Sequence, residues 1–270
     1  MNVVKKVLRS RLLRIILVSF AASLASGCSV IQGGRLLAPE SFGLEQVTPN
    51  IYVESGADEA MRSQLREATN KAENAIRTAY GSVNSHPVVN ACITEHCFES
   101  FGGRTAIAKV YGNSILLSPR GLNWHFLAHE WSHAELRSRL TFSAWWHLPQ
   151  WFDEGLAVAI SEAPEHSEAY YQSMIASNIP HPTTEELHSL KSLREWLAAV
   201  HKYGDDKDVE RRAKGEQETH ILYAMAGHAV RPWLAKMGKD GLLSMIARLN
   251  DGAAFDPAWI DTDTAAVGLR

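Results

Sequence analysis

Two histidines four positions apart, on a stretch with helical periodicity, constrain this chain more than any other feature. The run His129-Glu130-Trp131-Ser132-His133 follows Asn123, a natural N-cap, and Trp124, Leu127, Ala128 and Trp131 supply apolar positions at helical spacing. No Pro or Gly interrupts residues 122–148. Residues four apart on a helix share a face, one turn above the other, so both imidazoles aim at one point and Glu130 reaches a water bound there from the adjacent face. The spacing is that of two zinc ligands and a general base. The chain has twelve histidines, so the pattern can arise by chance on a solvated helix. The apolar context argues otherwise, because two imidazoles and a carboxylate are costly to bury there without a partner, and a metal provides one.

A catalytic zinc needs a third protein ligand and one position open to water. Glu154, in the segment Leu148-Pro149-Gln150-Trp151-Phe152-Asp153-Glu154-Gly155-Leu156-Ala157, is the candidate. The two segments together resemble the gluzincin clan of zinc peptidases, whose second motif is a Trp-rich stretch ending in a Glu-Gly pair. The resemblance implies one catalytic zinc on His129, His133 and Glu154. The gap between His133 and Glu154 lets the chain end one helix, turn at Pro149 and start another. Gly155 and Ala157 are expected to let those two helices approach closely.

The N-terminus carries Lys5, Lys6, Arg9, Arg11 and Arg14, then a short apolar stretch over residues 15–25, then Ala25-Ser26-Gly27-Cys28. This order reads as a secretory signal, and the apolar stretch is too short for a comfortable membrane span. Its ending resembles a bacterial lipoprotein signal, which implies that Cys28 becomes the lipid-bearing first residue. Ser29 behind it resembles lipoproteins sent to the outer membrane, facing the periplasm. Cleavage by an ordinary signal route, or an uncleaved anchor, is the alternative. Loss of residues 1–27 removes five positive charges and moves the formal net charge from −3 to −8, so nucleic acid is not an expected partner. Membrane contact is expected through the lipid alone.

Residues 28–41, with Gly33, Gly34 and Pro39, read as a tether, and residues 42–270 as one catalytic domain. At 46% apolar residues the chain can bury a proper core. Residues 50–54 alternate as a strand, residues 58–80 read as a helix ended by Gly81, residues 87–92 are strand-like, and residues 106–111 and 114–118 read as strands joined at Gly112-Asn113. Strands precede the HEWSH helix and helices follow it, which gives an α+β fold with a small N-terminal mixed sheet over a mostly helical C-terminal half. Residues 202–218, charged and Gly-containing, read as a long surface loop. Cys92 and Cys97 form an even pair suited to a disulfide, with free thiols or half a metal site as alternatives.

The clan resemblance implies more. The strand over residues 114–118 would be the sheet edge that lines the cleft and pairs with an extended peptide. The aminopeptidase Glu before the zinc helix has no counterpart around Tyr111-Gly112-Asn113-Ser114, which points to an endopeptidase. Tyr223, on a helix well downstream, would stabilise an oxyanion, with His220 and His228 as competitors. Some clan members hold a zinc-bound imidazole with an acid one turn past the third ligand. Val158 stands there, which leaves Asp153 or a backbone carbonyl. The expected activity is zinc-dependent hydrolysis of peptide bonds in the cell envelope. The competing readings are a zinc-binding interaction protein without catalysis, and a zinc amidase on cell-wall crosslinks whose Trp145, Trp146 and Trp151 stack on sugars.

Overall fold

A computed structural model of the chain describes residues 34–104, 106–216 and 218–256. The signal segment and Cys28 lie outside the described residues. No described helix is long and apolar enough to cross a membrane.

The first half builds a five-stranded mixed sheet. Strand β1 (Leu44–Thr48) pairs antiparallel with β2 (Ile51–Glu54), which runs parallel to β3 (Val88–Ala91). The helix α1 (Glu59–Tyr80) makes the crossover between β2 and β3. It starts at Asp58, whose side chain caps Met61 N–H, and stops at Gly81, whose left-handed φ of 75° reverses the chain. A short helix α2 (Glu95–Ser100) leads to the hairpin of β4 (Ala108–Tyr111) and β5 (Ser114–Leu117), whose turn begins with Gly112 at φ 61°. β5 also pairs parallel with β3, so the strand order is β1-β2-β3-β5-β4.

This order corrects the expected cleft edge. β5 lies between β3 and β4 and is buried along its whole length, and the edge strand on this side of the sheet is β4. A four-residue apolar strand, Ser-Ile-Leu-Leu, is what an interior position requires, since both of its faces are covered.

Ile51, Val53, Val89, Ala91, Ile115 and Leu117 on one face of the sheet join the main core with α1 and with α3 (Trp124–Arg139), the helix that carries HEWSH. On the other face Leu116 packs with Phe98, Phe101, Leu36, Cys92 and Cys97. Cys92 and Cys97 are joined as a disulfide. Leu36 and Pro39 are buried and Arg35 bonds the carbonyl of Ser100, so residues 34–41 lie against the body instead of running free as a tether.

The helical half begins with α3. Asn123 caps it by accepting from the N–H groups of His125 and Phe126. Near its end Glu135 is fully buried and accepts from Ser85 N–H, Ser85 Oγ, Asn84 N–H and Arg139 Nε, which fastens α3 to the loop behind α1. A short helix α4 (Phe142–His147) follows, then α5 (Gln150–Ser161) with Glu154. Beyond lie α6 (Glu168–Ala176), α7 (Thr184–His188), α8 (Leu193–Tyr203), α9 (Asp208–Ala213) and the long α10 (Ile221–Asn250), which breaks at Gly238.

Two expectations fail in this half. A Cβ on Gly155 would lie 2.5 Å from the carbonyl oxygen of Ala226, so this glycine serves the crossing of α5 with α10, not with α3. Gly227 answers from the other side, where a Cβ would meet Val158 at 2.4 Å. Residues 202–218 are not a free loop. They contain the end of α8, a 3-10 turn and α9, and the buried Asp205 and Asp208 accept the N–H groups of residues 219–222 at the start of α10. Carboxylates at a helix N-terminus satisfy its orphan donors and oppose its positive pole.

Candidate metal centre

α3 presents His129 and His133 one turn apart, and α5 brings Glu154 against them. His129 Nε2 and His133 Nε2 are 3.2 Å apart, and Glu154 Oε2 lies 3.3 Å from the first and 3.6 Å from the second. Ligands placed tetrahedrally at about 2.0–2.1 Å from a zinc ion stand about 3.4 Å from one another. The three atoms therefore form one face of such a tetrahedron. His129 and Glu154 are buried, and Glu154 Oε2 has no hydrogen-bond partner of good geometry. A buried carboxylate oxygen with a free lone pair, facing two imidazole nitrogens, matches the donor set of a divalent cation. His129, His133 and Glu154 can hold a metal ion.

The surrounding groups orient these ligands. His133 Nδ1–H donates to Asp153 Oδ1 at 2.9 Å, which leaves the Nε2 lone pair directed at the metal point. Asp153 thus fills the place that Val158 cannot. Gln150 Nε2 donates to Glu154 Oε1 at 3.0 Å, leaving Oε2 for the ion. Gln150 sits one helical turn before Glu154, and that spacing is the only sign of its role in the sequence. Burial disfavours the Glu154 carboxylate, yet the attraction of His129 and then His133 outweighs it and holds the carboxyl below the usual range.

Glu130 stands on the adjacent face of α3. Burial pushes its carboxyl above the ordinary carboxylate value, against the pull of His129 and His133. The nearby backbone of Val110 on β4 favours its charged form more weakly. In the β4–β5 ladder Ser118 N–H bonds the carbonyl of Ile107, and the register pairs Ala108 with Leu117 and Val110 with Ile115. The alternation of an antiparallel pair then turns the N–H and C=O of Ala108 and Val110 to the open edge, beside Glu130.

Tyr223 is the downstream residue that reaches this centre. Its ring lies edge-on to His129, with centroids 6.1 Å apart. Burial first, and then the Glu154 charge, keep its phenol protonated. The two competing histidines are engaged elsewhere. His228 stacks on Tyr171 and faces Glu168, both on α6. His220 sits between Asp208, at 3.6 Å, and Glu218, at 3.2 Å. The atoms of Asp208, Glu218 and His220 also lie close enough to share an ion, but Arg120, Arg211 and Arg212 pair with those carboxylates, so a cation there meets three guanidinium charges.

Sequence reasoning missed His166. It is buried, stacks on Tyr223 at 5.2 Å, and has no partner for either ring nitrogen. Burial, then His220 and His129, hold its pKa well below the usual imidazole value, so it is a neutral wall behind the tyrosine. Trp151 is fully buried and cannot stack on a sugar, whereas Trp146 is exposed.

No family model matches the sequence, and no curated protein or solved structure is significantly similar to it.

Proposed function

We propose that this protein is a zinc-dependent endopeptidase of gluzincin type acting on peptides or proteins in the cell envelope. The observation that carries the reading is the triangle of His129, His133 and Glu154, with Glu130 beside it and an open strand edge in reach. Zinc bound to this triad supplies a water of lowered pKa and polarises a carbonyl oxygen. Glu130 takes the proton of the attacking water and passes it to the leaving amine, and its raised pKa suits a group that must both accept and release. Asp153 keeps the His133 ring in register. Tyr223 donates its phenolic proton in a hydrogen bond to the oxyanion that develops at the scissile carbon. The outward N–H and C=O groups of β4 pair with an extended substrate chain.

The test is turnover of an unfolded protein by the zinc-loaded chain beside its Glu130→Gln variant. The expected result is a loss of about 10² to 10⁴-fold in turnover with zinc content unchanged. Equal turnover by both forms, or none by either, refutes the peptidase reading. Digestion of isolated cell wall without digestion of protein favours the amidase reading.

A further inference from the structure

On α3, Arg137 follows His133 by four residues, so it stands on the metal face one turn further along. Helical side chains lean toward the N-terminus, which brings the Arg137 stem over the turn of His133. Its guanidinium lies 4.4 Å from the centre of the Trp145 ring. Arg137 is exposed and forms no ion pair among the described residues. Beside it, the rings of Phe142 and Trp146 stack at 6.1 Å and are 74% and 68% exposed. α4 contains no acidic residue.

The chain as a whole carries a formal charge of −3, so an exposed arginine with no acidic partner among the described residues, set beside exposed aromatic rings, stands apart from its overall balance. An arginine held over an indole keeps its five donors in a fixed fork and loses little freedom when it pairs with a planar anion. Exposed aromatic rings alone fit a sugar or a bilayer equally well, and the Arg137 charge selects an anionic occupant. The only anion that an unmodified peptide carries is a carboxylate.

We propose that the cleft selects carboxylate-bearing peptides, with Arg137 on its Trp145 platform pairing with the carboxylate and the Phe142–Trp146 face seating the neighbouring apolar side chain. This rests on the peptidase reading. The carboxylate comes from an acidic side chain or from a free C-terminus, and the experiment separates the two.

The zinc-loaded Glu130→Gln chain is titrated against fluorescent peptides in matched pairs: Glu against Gln at one position, and free against amidated C-terminus. Binding is followed by anisotropy, so no turnover is needed. At least one acidic arm is expected to bind about tenfold more tightly than its neutral match at low salt, and less so at high salt. The responding arm identifies the source of the carboxylate. Arg137→Gln abolishes the preference, Arg137→Lys restores part of it, and Trp146→Ala weakens every peptide. Matched peptides binding within twofold of one another, a preference that survives Arg137→Gln, no binding by any peptide, or binding to anionic lipid vesicles alone each overturn the proposal. Acid-selective binding without cleavage by the unmodified chain removes the peptidase reading and keeps this site. Cleavage without acid preference does the reverse.

Discussion

Replacing Asp153 by Ala removes the acceptor that holds His133 Nδ1–H and leaves all three metal-binding atoms in place. The bond is 2.9 Å long, and the side chains of His133 and Asp153 are only 13% and 19% exposed, so solvent screens it little. A hydrogen bond to a charged acceptor in such a place contributes about 1.5–3 kcal/mol. Partners of metal-bound imidazoles typically change affinity by about 10 to 100-fold when removed. Taking about 30-fold, zinc supplied at about 100 times the original dissociation constant would stabilise the parent by about 2.7 kcal/mol and the variant by only about 0.9 kcal/mol. Competition with a zinc-binding dye gives the affinity directly, and thermal unfolding with and without zinc gives the same ratio independently. Gln150→Ala is the internal comparison, since it loosens Glu154 and leaves His133 untouched. If Asp153→Ala, still folded, binds zinc within threefold of the parent, the argument that Asp153 orients His133 is wrong.

Gly155→Ala forces a Cβ to within 2.5 Å of the Ala226 carbonyl oxygen and 2.7 Å of Val230, so overpacking is expected to cost about 1–3 kcal/mol, read as a lower denaturation midpoint in urea. Glu135→Gln strips the charge from a fully buried carboxylate that faces Arg139, and a loss of about 3–5 kcal/mol in unfolding free energy is expected; a change below about 1 kcal/mol would show the pair to be idle. Glu186 is held at a pKa of about 2 by the Thr183 N–H, then by Lys202 and Tyr203. A lowered carboxylate pKa stabilises the fold above the ordinary value and ceases to do so as the pH falls towards 2. Thermal midpoints of the parent and of Glu186→Gln should therefore differ at pH 6 and converge by about pH 2; curves that run parallel throughout would contradict the assignment.

What could be read in the chain was whatever depends on local period. His129 and His133 declare themselves because helix geometry alone puts them on one face, and Gly81 and Asn123 mark helix ends by their own chemistry. Glu154 needed its neighbours, because a lone first-turn acid has an ordinary explanation in the helix dipole. The rest depends on partners distant in sequence. Nothing in Ser114–Leu117 says that β3 will take its other side, so the free edge fell to the wrong strand of a correctly placed hairpin. Gly155 signals a close approach but not to what, and Ala226 lies far along the chain. His166 follows Pro164 in a short 3-10 turn with no periodicity to flag it, and its surroundings arise only when α10 closes over α5.

The stretch from Lys202 to Glu218, polar and studded with charge, is what an engineer would cut first to shorten the molecule. Asp205 and Asp208 make that excision hazardous. They moor the opening turn of the helix on which Tyr223 rides, and the Tyr170 hydroxyl fastens Thr219 from a second direction. A shortened chain would keep the His129–His133–Glu154 triangle and set the phenol adrift, so under the proposed peptidase reading ion uptake and turnover would part company.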